Sequence, residues 1–179
     1  MNYATIKPCD IANGPGIRVS LFVSGCTHRC KGCFNQEAWD FDYGQPFTQR
    51  TIYQILSMMA PAYIKGLTLL GGEPFEPCNQ RALLPLLRRV RERYPHKSVW
   101  AFSGFTLEEE LLADGSHPRC EATDEMLSLI DVLVEGRFIL AQKDLTLKFR
   151  GSRNQRIVDM ARTRACGKIT LWDEGRRGI

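Results

Sequence analysis

Short apolar runs alternate along the chain with segments in which apolar residues recur every three or four positions. The runs are rich in β-branched residues and predict four strands, at residues 17–23, 66–70, 98–102 and 131–135. The segments between them have the periodicity of amphipathic helices, at about residues 48–60, 83–94, 107–112 and 126–130. Strands that alternate with helices predict βαβ units, and therefore an α/β fold with a mostly parallel sheet.

The length of the chain limits the kind of α/β fold that it can form. A complete eight-fold β/α barrel usually needs about 250 residues, and this chain has 179. We therefore predict a partial, open (β/α) barrel. The sequence shows no internal repeat, low-complexity tract or linker-like stretch, so we expect residues 1–179 to form a single domain. Its core would span about residues 10–156, and residues 157–179 would form a C-terminal extension.

Three unusual segments follow the first three predicted strands. A cysteine-rich loop follows the first strand, the GGEP sequence at residues 71–74 follows the second, and Ser103-Gly104 follows the third. Parallel α/β sheets bind their ligands at the carboxyl ends of the strands. We therefore expect these three segments to share one site.

The composition is that of an ordinary globular protein. Hydrophobic residues make up 44% of the chain and charged residues 25%, as in soluble domains. No apolar run approaches the roughly 20 residues that span a bilayer, and residues 1–10 lack the basic and apolar regions of a signal peptide. We expect a cytoplasmic protein without a membrane partner.

The formal net charge of +4 is small, but basic residues concentrate at residues 81–93 and 143–168. The favoured interpretation is solvated helix faces, on which the long side chains also cover apolar surface. A docking surface for an acidic protein, such as an electron donor, is the alternative. A nucleic-acid partner is not expected, because no aromatic residues are interleaved with these charges.

The seven cysteines are distributed unevenly, and three of them form a CxxxCxxC segment at Cys26, Cys30 and Cys33. Thiolates bind soft metals and iron–sulfur clusters, and three ligands would leave one iron of a 4Fe-4S cluster open. Spacing alone leaves two alternatives: a zinc site completed by His28 or Cys78, and a thioredoxin-like Cys30–Cys33 redox pair. His28 would lie beside the cluster or face solvent.

The GGEP sequence strengthens the interpretation of a cofactor site. Gly71 and Gly72 permit a ligand to approach the backbone closely, and the Glu73 carboxylate has the chemistry to accept hydrogen bonds from an ammonium group. A Gly-Gly turn alone is a weak signal, but its position one strand after the cysteine loop makes it more specific.

Together these motifs resemble the radical S-adenosylmethionine superfamily. The resemblance rests on CxxxCxxC followed by the aromatic Phe34, and on the later GGEP. More narrowly, NGPGIR at residues 13–18, CFN at residues 33–35 and RGSRNQR at residues 150–156 resemble the activating proteins of anaerobic ribonucleoside-triphosphate reductase. The resemblance covers about residues 10–156.

The resemblance implies a 4Fe-4S cluster on Cys26, Cys30 and Cys33, with S-adenosylmethionine chelating the fourth iron. Phe34 would lie near the adenine, Gly72 and Glu73 would hold the methionine ammonium, and Glu135 and Arg137 carry a looser assignment. The full set implied for cofactor binding is Gly32, Cys33, Phe34, Gly71, Gly72, Glu73, Ser103, Glu135 and Arg137. The partner-interface candidates are Arg150, Gly151, Ser152, Asn154 and Gln155; on physical grounds alone that segment is a surface loop.

The resemblance also implies a reaction and its partners. One electron, from a reduced flavodoxin- or ferredoxin-like donor, would pass through the cluster and cleave S-adenosylmethionine to methionine and a 5′-deoxyadenosyl radical. That radical would remove hydrogen from a backbone glycine in the glycyl-radical loop of the reductase large subunit. Activation of another glycyl-radical enzyme, such as pyruvate formate-lyase, is the alternative within this class. A zinc- or thiol-based binding or redox module is the alternative from another class.

Overall fold

A seven-stranded sheet organises the protein in the computed structural model, which describes residues 1–173. The strands lie in the order β3-β1-β2-β4-β5-β6-β7. Their bounds are Asn2–Asp10 (β1), Ile17–Val23 (β2), Gln45–Pro46 (β3), Ile64–Gly71 (β4), Ser98–Phe102 (β5), Val132–Glu135 (β6) and Arg156–Asp159 (β7). Strands β2, β4, β5 and β6 are parallel, whereas β1, β3 and β7 pair antiparallel at the two sides.

Four α-helices accompany the sheet: α1 (Gln49–Met58), α2 (Pro77–Arg93), α3 (Thr123–Ser128) and α4 (Met160–Cys166). Each contributes apolar side chains to one large core together with alternate residues of the strands. Successive side chains of a strand point to opposite faces. Leu67 and Leu69 therefore face the helices, while Trp100 and Val134 belong to a smaller cluster on the other face.

The second face is covered by the NGPGIR segment and by residues near the C-terminus. Arg18 is fully buried there and its guanidinium lies over the ring of Trp100. Trp172, in the segment predicted as a C-terminal extension, packs edge-on against Trp100 at a centroid distance of 5.1 Å. Residues 174–179 of that segment lie outside the described residues.

The predicted α/β class is confirmed, with three differences in detail. Three of the six strand pairings are antiparallel, so the sheet is partly rather than mostly parallel, and it is not closed. Strands β1, β3 and β7 were not predicted. Because β1 comes first in the chain, the cysteine loop follows the second strand. The predicted helix at residues 107–112 is a short π-helix, Leu107–Leu111.

Three of the five basic residues of α2 form ion pairs with carboxylates of the protein. Arg81 lies 2.6 Å from Glu121, and Arg88 lies 2.5 Å from Glu125. Arg91 donates to the carboxylate of Asp131 at 2.8 Å. This supports the interpretation of residues 81–93 as a solvated helix face with surface ion pairs. Within residues 1–173, no helix is long and apolar enough to cross a membrane.

Candidate functional site

The three unusual segments meet around one cavity of about 510 Å³ at the carboxyl ends of the parallel strands. The cysteine loop leaves β2, the GGEP turn leaves β4, and Ser103-Gly104 leaves β5. The predicted residues that line this cavity are Cys26, Cys30, Gly32, Cys33, Phe34, Gly71, Gly72, Glu73 and Ser103. The topology therefore brings together most of the residues that the motifs single out.

The cysteine loop is shaped by its own backbone and by the segment that follows it. Gly32 has a φ of +78°, in the left-handed region that favours glycine. The amide of Cys33 donates to the carbonyl of Cys30 at 3.1 Å, and that of Cys26 donates to the carbonyl of Trp39 at 3.2 Å. The amide of Asn35 lies 3.4 Å from the sulfur of Cys33, a contact of the kind that tunes a metal-bound thiolate.

Glu73 joins the three segments through its buried carboxylate. One oxygen accepts from the amide of Phe75 at 2.8 Å and from the hydroxyl of Ser103 at 2.9 Å. The other accepts from the amide of Gly104 at 2.7 Å and lies 3.1 Å from Nε2 of His28 in the cysteine loop. The side chain thus fixes the geometry of the turn, and all of these partners belong to the protein.

A second buried carboxylate, Glu76, holds the same loop one residue earlier. It accepts from the amide of Thr27 at 2.8 Å and from the Thr27 hydroxyl at 2.6 Å. Glu76 is 2% exposed, although it lies in a turn. The sequence analysis did not identify it. The signal available was a carboxylate three residues after Glu73, at the entrance to a helix.

The glycines of the turn are required by close packing. A Cβ at Gly72 would lie 2.6 Å from the carbonyl oxygen of Gly25 and 2.8 Å from that of Ala38. Gly71 has a φ of +112°. The tight fit shows that the turn is pressed against the start of the cysteine loop, so a larger residue at position 72 would push the two segments apart.

Two thiols of the cysteine loop have raised pKa values because they are buried. Burial, with a smaller contribution from the nearby Glu73 charge, raises the pKa of Cys26 to about 12. Burial also raises the pKa of Cys30. A thiol that binds a metal is deprotonated by the metal itself, so these directions describe the buried thiols without a bound group.

The zinc alternative requires His28 or Cys78 as a fourth ligand. Nε2 of His28 is directed at Glu73, and Cys78 is an exposed residue of α2. In residues 1–173, no group of three or more His, Cys, Asp or Glu side chains, the three cysteines included, is placed to hold a metal ion, so this finding does not separate zinc from a cluster. Three thiols that line one cavity without a fourth protein ligand fit a cluster with one open iron.

Glu135 and Arg137 lie apart from this arrangement. They line a neighbouring cavity of about 470 Å³ together with acidic residues of the π-helix. The Glu135 carboxylate accepts from the amide of Leu107 and from Arg156, and it is 1% exposed. Their role in cofactor binding stays a prediction.

The segment from Arg150 to Arg156 folds against residues 136–144 and forms one wall of the first cavity. Arg150, Gly151 and Gln155 line it, whereas Ser152 is fully buried. The side-chain amide nitrogen Nε2 of Gln155 donates to the backbone carbonyl of Gly136 at 2.9 Å. Asn154 is exposed and donates to the carbonyl of Arg137 at 2.8 Å. Of the partner-interface candidates, Ser152 is therefore the least accessible.

Fold and site define a class: an α/β protein in which three cysteines line a cavity at the carboxyl ends of the parallel strands. A family described as "4Fe-4S single cluster domain" matches residues 12–158. The anaerobic ribonucleoside-triphosphate reductase-activating protein of Pasteurella multocida is 45% identical over 157 residues, which cover 87% of this chain and 95% of that protein. The proteins of the same name from Enterobacteria phage T4 and Escherichia coli are 40% and 41% identical, covering 88% and 87% of this chain and 93% and 96% of theirs.

The chain belongs to the family of anaerobic ribonucleoside-triphosphate reductase-activating proteins, with a 4Fe-4S single cluster domain. The match extends over nearly the whole length of these relatives. It confirms the family resemblance that the cysteine, GGEP and NGPGIR motifs indicate, and it favours a cluster over the zinc and thiol alternatives.

Proposed function

We propose that this protein activates an anaerobic ribonucleoside-triphosphate reductase by reductive cleavage of S-adenosylmethionine, which leaves a glycyl radical on the reductase. One observation carries the proposal: three thiols and the GGEP turn line the same cavity, in a chain of this family. The thiols supply a cluster site, and the turn supplies backbone groups beside it.

Cys26, Cys30 and Cys33 would hold three irons of the cluster, and the amino and carboxylate groups of S-adenosylmethionine would occupy the fourth. When bound, the cluster would supply the one electron needed to cleave S-adenosylmethionine, and the cleavage would lead to removal of a hydrogen atom from the partner's glycine. The protein binds, orients and shields these groups.

The cavity walls divide that work. Gly71 and Gly72 border the cavity and have backbone groups suited to a methionine ammonium, whereas Ser103 holds the Glu73 carboxylate. Phe34 is 88% exposed at the edge of the cavity, which leaves its ring available to cover an adenine. Burial of the reacting groups would exclude water from the radical.

The fold supports a finer description. Four adjacent parallel strands with the site at their carboxyl ends favour a partial, open form of the β/α barrel, in a single domain. Such a barrel leaves the mouth of its cavity uncovered, and the glycyl-radical loop of the reductase would close it. A reduced flavodoxin- or ferredoxin-like protein would donate the electron, and Arg150, Gly151 and Asn154 would lie near the reductase.

The proposal is tested by anaerobic reconstitution of the full chain with iron and sulfide. We expect about four irons per chain, visible absorbance that dithionite bleaches, and formation of methionine and 5′-deoxyadenosine on addition of S-adenosylmethionine. Replacing Cys26 with serine should lower the iron content and abolish cleavage. Replacing the exposed Cys78 with serine is the matched control and should change neither.

Partner specificity is measured separately. The reconstituted protein is incubated with the reductase or with pyruvate formate-lyase, and the glycyl radical is counted by electron paramagnetic resonance. A radical on the reductase alone supports the proposal. Stoichiometric zinc in an iron-replete preparation, or no cofactor cleavage by a fully loaded protein, contradicts it.

A further inference from the structure

His28 lies inside the cysteine loop, and the proposed reaction leaves it without a role. Its neighbours Arg29 and Lys31 are exposed, as expected for charged loop residues. The His28 side chain is instead 3% exposed. Its ring packs on Phe105 at a centroid distance of 4.2 Å. A polar ring buried in an otherwise exposed loop calls for a specific contact.

That contact is the carboxylate of Glu73. Nε2 of His28 lies 3.1 Å from Oε2, and Glu73 is 1% exposed. Nδ1 of His28 is buried and has no hydrogen-bond partner in the described part of the chain. The ring is therefore held by Nε2 and by its packing on Phe105. Among residues 1–173, His28 is the only residue of the cysteine loop that contacts this carboxylate.

The Glu73 carboxylate has no acceptor site to spare. A carboxylate offers about four lone-pair positions, and Phe75, Ser103, Gly104 and His28 account for four contacts. A ligand ammonium would have to displace one of them. This arrangement assigns the Glu73 side chain to positioning, and it leaves the ligand contact to backbone groups of the turn.

We propose that His28 is a positioning residue that fixes the gap between the three-thiol loop and the GGEP turn. The inference rests on the proposed function, in which one molecule of S-adenosylmethionine spans that gap. Its amino and carboxylate groups must reach the open iron while the N–H groups of that same amino nitrogen stay beside the turn. Without this hydrogen bond the loop keeps its contacts through Thr27 and Glu76 but loses its link to Glu73, and the affinity for S-adenosylmethionine falls.

The test compares His28→Phe, which keeps an aromatic ring on Phe105 but has no donor, with His28→Gln, whose amide is able to donate to Glu73. His96→Phe is the control, because His96 is an exposed histidine in the loop that precedes β5, away from the cavity. Each full-length variant is reconstituted anaerobically and its iron is counted. The reduced cluster is then titrated with S-adenosylmethionine, and the change in its electron paramagnetic resonance spectrum gives a Kd that does not depend on turnover.

We expect His28→Phe to raise this Kd about tenfold, the lower end of what a hydrogen bond to a charged group contributes. His28→Gln should stay within about threefold of the wild type, and His96→Phe should match the wild type. Iron content should be unchanged in all of them. If His28→Phe does not fold, His28→Met, which also lacks a donor, takes its place.

A wild-type Kd in His28→Phe overturns the inference. So does an equal loss in His28→Gln, because the ring rather than the hydrogen bond would then be responsible. Loss of iron in His28→Phe counts against the inference unless His28→Gln restores it. If S-adenosylmethionine does not change the spectrum of the wild-type protein, the proposed function fails. If it changes the spectra of the wild type and of His28→Phe with the same Kd, only the inference about His28 fails.

Discussion

Arg18 is the last residue of the NGPGIR motif, and its burial makes a strong prediction about stability. It is 0% exposed, and burial lowers its pKa from 12.5 to about 10. Nε donates to the Thr68 hydroxyl at 2.7 Å, and Nη1 donates to the Ser98 hydroxyl at 2.9 Å. Nη2 donates to the carbonyls of Leu67 and Ser98 at 2.8 and 2.9 Å. One guanidinium thus links three parallel strands.

Replacing Arg18 with methionine keeps much of the volume and removes all four of these hydrogen bonds. Hydrogen bonds from a charged group contribute about 1.5–3 kcal/mol each, so the gross loss is about 6–12 kcal/mol. The opposing gain is the burial cost of the charge, which the lowered pKa places at about 3 kcal/mol. The free energy of unfolding should therefore fall by at least about 3 kcal/mol.

Urea unfolding of the cluster-free protein, followed by circular dichroism in reducing buffer, measures this loss. Arg88→Met is the matched control: Arg88 makes a surface ion pair with Glu125, and such pairs contribute about 1 kcal/mol or less. Arg18→Lys should be intermediate, because an ammonium lacks the planar fork that reaches several acceptors. If Arg18→Met unfolds within about 1 kcal/mol of the wild type, the reasoning about this network is refuted.

Two further predictions concern the site. Gly72→Ala places a Cβ 2.6 Å from the carbonyl oxygen of Gly25. We therefore expect the free energy of unfolding to fall by about 1–3 kcal/mol and the iron content after reconstitution to decrease. Wild-type values for both would contradict the packing argument. Hydrogen bonds from Thr146, and then Arg153, lower the pKa of Asp144 to about 2. Since the folded state holds this carboxylate charged, its stabilisation is complete above the usual pKa of 3.8 and is lost as pH falls towards about 2. Pepsin cleavage near Asp144 should increase over that pH interval, and Asp144→Asn should remove the pH dependence of the cleavage. Equal pH profiles for the two proteins would show that the carboxylate does not stabilise this segment.

The strands that could be predicted are those whose signal is local. Ile17–Val23 and Ser98–Phe102 are buried on both faces, so each is a short run in which apolar residues predominate and is visible in the sequence, although the first also contains Arg18 and Ser20. Strand β1, Asn2–Asp10, is mostly exposed and contains a proline. Its pairing with β2 is antiparallel and depends on the rest of the sheet. No periodicity within nine residues of that kind distinguishes a strand from a loop.

The site divides in the same way. The cysteine spacing and the GGEP turn are short motifs, and their chemistry follows from residue type and from separations of a few positions. The roles of His28 and Glu76 depend on contacts across 45 and 49 residues, with Glu73 and Thr27. The sequence near His28 or Glu76 contains no pattern that identifies the distant residue each one contacts.

The sequence by itself determined which chemical groups the site offers: three thiols in one loop and two glycines at the end of a strand. It also predicted that both segments lie at the carboxyl ends of parallel strands. Only the tertiary structure decided how the acidic side chains are used. Phe75, Ser103, Gly104 and His28 surround the Glu73 carboxylate. Glu135 and Arg137 line a neighbouring cavity. The physical reason is that the charge of a carboxylate is set by residue type, whereas the donors that satisfy it are set by which distant segments the fold packs against it.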